Sequence, residues 1–154
     1  MPTPFENAQL NLQLFDLRRE PVLREARQWF VFEFNPESFE DVIATVSGGR
    51  NSSCRMVISY WEMACSLVTT GAIDPAAFIA ANGEIVATFS KIYPFLAELR
   101  ETSREPDLCK HMEKVVMGFP GQDATLARRR EAIIRAAKAR HEATPDCHEA
   151  RPGD

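Results

Sequence analysis

An all-α, single-domain helical bundle is what this sequence predicts, on three observations. Apolar residues recur at three-and-four spacing through most of the chain, the period that stacks side chains on one helical face. Proline, glycine and small polar residues fall at the ends of these periodic stretches, where helices start and stop. No second strand-like run exists to pair with a first, and a lone strand would leave its backbone groups unsatisfied. The expectation is seven or eight helices around a central helix at about 53–70.

From Asn7 to Leu17 the residues Leu10, Leu14 and Leu17, flanked by Phe15, give a first helix that ends before Pro21. Pro21 suits the first turn of a second helix, where a missing N–H costs nothing, and Val22, Leu23, Ala26, Phe30 and Phe34 form its inner face. The run Trp29 to Phe34 is open to a strand reading, but helical spacing continues across it. Asn35 as cap and Pro36 at the first position open a third helix, lined by Phe39, Val42, Ile43 and Val46 and stopped by Gly48-Gly49.

The central stretch, Ser53 to Thr70, holds no proline or glycine and is stopped by Gly71. Cys54, Val57, Ile58, Trp61, Cys65 and Val68 make one apolar row, and Met56, Tyr60, Met63 and Leu67 a second. Only Arg55, Ser59, Glu62, Ser66 and Thr69 remain for a polar stripe, so other helices should surround this one. Asp74-Pro75 opens a short helix with Phe78 and Ile79 inward, closed by Asn82-Gly83. Glu84 to Glu101 keeps phase through Ile85, Val86, Phe89, Ile92, Tyr93, Leu96 and Leu99 across Pro94, which kinks the helix or breaks and restarts it. Ser103 to Met117 gives another, through Leu108, Met112, Val115 and Val116, ended by Gly118.

These boundaries suggest a bundle over residues 1–121, a peripheral basic helix over 122–143 entered through Phe119-Pro120-Gly121, and a disordered tail over 144–154. The net charge of -4 points to neither a nucleic-acid binder nor a disordered acidic chain. It is unevenly placed, with six basic groups against three acids in 122–142, yet Arg128, Arg129 and Arg130 are consecutive and point three ways around a helix. Nucleic acid is therefore disfavoured as a partner. Cys54, Cys65, Cys109 and Cys147 form no CxxC pair, and about 16 Å of helix separates the first two, so all read as reduced thiols. With no leader and no apolar run of about 20 residues, the expected location is the cytoplasm, without a transmembrane segment.

LREARQWF at 23–30, RMVISYWEMACSLVTTGAIDPAAFIAANG at 55–83 and FSKIYPFLAELRE at 89–101 together resemble a family of uncharacterised small bacterial all-helical proteins. In that family an Ala-Arg pair precedes an aromatic-Glu helix, a Gly-Ile-Asp turn and a closing Leu-Arg. The resemblance covers roughly residues 10 to 105. It implies an all-helical fold and no assigned activity; other members often carry an N-terminal membrane anchor, which is not expected here.

Glu62 is the most informative polar residue, because it sits mid-helix between two apolar rows and a buried carboxylate needs a partner. Arg27, on the apolar face of its own helix, is the expected partner in a buried ion pair, with Arg55 and Arg100 as the other candidates. The functional alternative is a pocket formed by Tyr60, Trp61 and Glu62. Cys109, His111 and Glu113 do not share one helical face, so no metal is assigned; His141, Cys147 and His148 read as solvated. No catalytic residue and no cofactor is assigned either.

The resulting functional reading is a non-enzymatic protein-interaction or oligomerisation module. Its competitor is a small-molecule sensor or enzyme with a pocket near Glu62. The partner expected is a protein, favoured to be a second copy in a homodimer. The thin row Leu126, Ile133, Ile134 and Ala137 either docks along its own bundle or swings out, and the swung-out interface is the preferred expectation.

Overall fold

The computed structural model describes residues 2–143, so the tail expected at 144–154, with Cys147 and His148, lies outside the described residues. Helices joined by turns and short irregular links make up the described chain, and no strand occurs among the described residues. Of the run Trp29 to Phe34, open to a strand reading, Trp29 to Phe32 belong to a helix and Glu33 and Phe34 follow its end.

The first helix, α1, runs Pro4–Arg18 and begins earlier than the apolar spacing indicates. Thr3 and Glu6 form a reciprocal capping box, and Pro4 fills the first helical position. α2 runs Pro21–Phe32, with the Glu20 carboxylate accepting the Leu23 amide at 2.7 Å. Asn35-Pro36 does not open the next helix. Ser38 and Asp41 form the capping box instead, and α3 runs Phe39–Ser47. Asn35 turns its side chain back to donate to the Phe32 carbonyl at 3.2 Å, helping to close α2.

α4 spans Asn51–Thr69 and packs against α2, α3, α5 (Pro75–Ala81) and α8 (Lys110–Met117). Gly71, at φ 83°, makes the left-handed turn that follows it. Of its second apolar row, Tyr60 is buried but Met63 is 40 % exposed. α6, Glu84–Ile92, is the more enclosed helix: Ile85, Val86, Thr88, Phe89, Ser90, Lys91 and Ile92 are all buried. Pro94 breaks the following stretch. A 3-10 turn at Tyr93–Phe95 leads into α7, Leu96–Ser103.

The helix expected over Ser103 to Met117 shortens to α8. Pro106 disfavours helical geometry at Glu105 and removes a donor, and Arg104 and Cys109 take left-handed backbones at φ 59° and 57°. Arg100 fastens the resulting turn by donating from Nε and a terminal nitrogen to the Leu108 carbonyl at 3.0 and 2.9 Å. The last helix, α9, covers Gln122–Ala143 and lies against α6 and α8.

Candidate functional site

Arg55, Ser59 and Glu62 occupy successive turns of α4, so the polar stripe becomes one edge of a groove between α3 and the start of α8. Glu62 at its far end does not meet Arg27. Its two carboxylate oxygens accept the backbone amides of His111 and Met112, each at 2.9 Å. These are the second and third residues of α8, whose own cap residue, Cys109, makes no side-chain capping bond. A carboxylate from another helix thus performs the capping that the local sequence omits, and its charge faces the positive end of the α8 dipole. The His111 ring is held as well, with Nδ1 at 2.6 Å from the Thr69 hydroxyl.

Arg27 pairs with Glu84 instead. Nε donates to one carboxylate oxygen at 2.8 Å, a terminal nitrogen grips the other, and a third bond reaches the Arg18 carbonyl at 3.1 Å. The expected pair fails because α2 touches both α4 and α6, and the carboxylate within reach of Arg27 is the one in the first turn of α6. That position also suits a negative charge.

Tyr60, Trp61 and Glu62 do not converge on one pocket, since consecutive residues point about 100° apart around a helix. The Tyr60 hydroxyl donates to the Leu14 carbonyl at 2.8 Å, and burial pushes its pKa up to about 12. Trp61 is fully buried, packs edge-on against Tyr60 with ring centres 5.0 Å apart, and its indole N–H has no partner among the described residues. Both are structural.

Glu62 does border a cavity of about 330 Å³, but on the other side. Val42, Val46, Ile58, Ile92, Leu99 and Leu108 supply its apolar wall, with Cys54 and Cys109 among them. Burial pushes the Cys54 thiol up to about 11; burial first, and then the Glu62 charge, push Cys109 up to about 12. Cys65 rises further for the same two reasons. All three stay neutral and unreactive at ordinary pH. Among the described residues no three His, Cys, Asp or Glu side chains gather in an arrangement that would hold a metal ion.

Lys91 is the site residue that sequence reasoning missed. It is 3 % exposed, and its Nζ donates to the carbonyls of Phe30, Val31 and Phe34 at 2.7, 2.7 and 2.8 Å and to the Asn35 side chain at 3.1 Å. Burial, then the nearby Arg140 charge, pull the ammonium down to about 8, against four oxygens that favour its charged form. The group ties the C-terminal carbonyls of α2 to the middle of the core, as cations do at helix ends.

The α9 row rests on its own bundle. Leu126 is buried, and Ile133, Ile134 and Ala137 are half-buried, so the swung-out arrangement is not the one adopted. The basic residues reach back: Arg130 donates to the Pro36 carbonyl at 2.7 Å, Arg129 to Gly83 at 3.3 Å and Arg140 to Phe32 at 3.3 Å, while Lys138 pairs with Glu37 at 3.0 Å. The docking follows from α6, which α9 covers on one flank.

No helix among the described residues is long and apolar enough to cross a membrane. A family model described as Domain of unknown function (DUF4760) matches residues 4–119. No curated protein and no solved structure matches the chain.

Proposed function

The chain belongs to the DUF4760 family, and from that premise we propose a non-enzymatic interaction module that pairs reversibly with a second copy of itself through the outer face of α1. The observation that carries this reading is the exposure of Phe5, Leu12 and Phe15 at 69, 64 and 47 %. With Ala8 they fall at positions 5, 8, 12 and 15, the alternating three-and-four spacing of a helix-pairing seam. A neighbouring face of α1 is occupied by the bundle, since Leu14 is buried and the Asn7 and Asn11 side chains bond Asp74 and Asn82.

An antiparallel pairing about the middle of α1 sets Phe5 against Phe15 of the second copy and Ala8 against its Leu12. Large then meets small at the centre and two aromatic pairs close the ends, a complementarity that uses every member of the row twice. One row of this length lies at the low end of interface sizes, so the association is concentration-dependent and reversible. Light scattering over a concentration series tests it. Wild-type chain should gain mass with concentration while Leu12→Asp stays monomeric with an unchanged melting temperature. A wild type that is monomeric throughout, or a mass gain that Leu12→Asp leaves intact, would end this reading.

A further inference from the structure

We propose that the cavity between α3, α4, α6 and α7 binds a small monocarboxylate with a compact apolar body, whose carboxylate is held by Arg55 at the mouth. This does not rest on α1 pairing, because the two features lie on different helices and share no residue.

Shape and lining limit the class of ligand. A volume of about 330 Å³ lies at the lower end of small-ligand sites, roughly 300 to 1,000 Å³, and is too small for a nucleotide or a folded peptide segment. Val42 and Val46 from α3, Ile58 from α4, Ile92 from α6, Leu99 from α7 and Leu108 from the turn before α8 surround it with hydrocarbon. The two cysteines in the wall are neutral thiols that behave as small apolar groups. The body of the ligand is therefore apolar.

Charge fixes the other end. Arg55 lines the cavity, is exposed, and has no ion-pair or hydrogen-bond partner among the described residues, unlike Arg27 and Arg100. An exposed guanidinium beside an apolar hollow is complementary to a carboxylate, which it can grip through two parallel N–H bonds. Glu62 stands two helical turns along α4, about 10 Å away at 1.5 Å per residue. Each of its oxygens already accepts an α8 amide and its charge is offset by the α8 dipole, so it is a poorer partner for a cationic ligand than the unpaired Arg55 is for an anionic one. Its negative charge repels an anionic head from the far end and so orients the molecule, acid outward at Arg55 and hydrocarbon inward.

Isothermal titration calorimetry on the full chain distinguishes the parts, with octanoate, methyl octanoate and octylamine as probes. Octanoate should bind, and the neutral ester and the amine each about tenfold or more weakly, as expected for loss of a hydrogen-bonded charge at Arg55. Arg55→Gln should lower octanoate affinity to that of the ester and leave the ester unchanged; the residue has no internal partner, so the fold is retained. Val46→Trp, which fills the cavity, should abolish binding of both. Methyl NMR shifts on octanoate addition should appear at Val42, Val46, Ile58 and Ile92. The proposal is overturned if octanoate does not bind, if Arg55→Gln leaves its affinity intact, if octylamine binds as tightly, or if the shifts appear at Leu10 and Leu12 of α1 instead.

Discussion

Replacing Glu62 with alanine removes the side chain that caps α8. Two amides, His111 and Met112, lose charge-assisted bonds of 2.9 Å. Each hydrogen bond to a charged group contributes about 1.5–3 kcal/mol. The site is only half-buried, so water recovers part of this, and the expected cost is about 3 kcal/mol. Glu62→Gln keeps one acceptor but turns an –NH2 towards the second amide, so about half the loss should remain. Against a total stability of about 5–15 kcal/mol these are large effects. Denaturant titration reads the global loss, and hydrogen exchange at the His111 and Met112 amides reads its place. A double-mutant cycle adds a discriminating number: Arg27 and Glu62 should couple by less than about 0.5 kcal/mol, and Arg27 and Glu84 by more. A Glu62→Ala variant within about 0.5 kcal/mol of wild type, or one in which those two amides keep their protection, would refute the capping role.

Two further outcomes follow from other parts of the core. Lys91 falls from 10.5 to about 8 on folding, so as pH passes 8 the unfolded chain binds more protons at this group and its own contribution to stability rises with pH. The three buried cysteines oppose this, because their raised folded values leave the unfolded chain as the one that loses protons; unfolding free energy measured from pH 7 to 10.5 should pass a shallow maximum between about pH 8 and 9 and then fall, and a monotonic fall that Lys91→Met leaves unchanged would contradict the Lys91 burial. Leu126→Ala should cost about 2–4 kcal/mol in thermal or chemical unfolding if α9 is docked in solution, whereas a change below about 0.5 kcal/mol would show the helix undocked.

The helices themselves were legible because periodicity and capping are local. Leu23, Ala26 and Phe30, or Cys54, Val57, Trp61 and Cys65, announce a buried face without reference to any other part of the chain. Pro75 after Asp74 fixed a start to the residue. Errors arose where two local signals competed: Ser38 with Asp41 outbid Asn35-Pro36, and Pro106 stopped a phase that Leu108 seemed to continue. Partnerships were not legible. Arg27 had several carboxylates open to it, and only the packing of α2 on α6 selects Glu84. Lys91 was hidden for a similar reason. Thr88 and Lys91 make a polar stripe that would face water on a surface helix, but α6 has α2 and α9 on different sides and no outward face remains. The cavity was out of reach because its walls come from segments more than 60 residues apart, from Val42 to Leu108.

The enclosure of α6 also sets an order of events during synthesis. Its covering helix is the last one described, and the contacts that hold it there span the chain: Arg130 reaches back to Pro36, Lys138 to Glu37 and Arg140 to Phe32. The family match stops at 119, before this helix begins. A nascent chain that has left the ribosome only as far as α8 therefore carries the enclosed helix α6 with one flank bare. Transiently bare apolar surface of this kind is what makes incomplete chains prone to aggregate, and in this fold it is covered only once α9 is available.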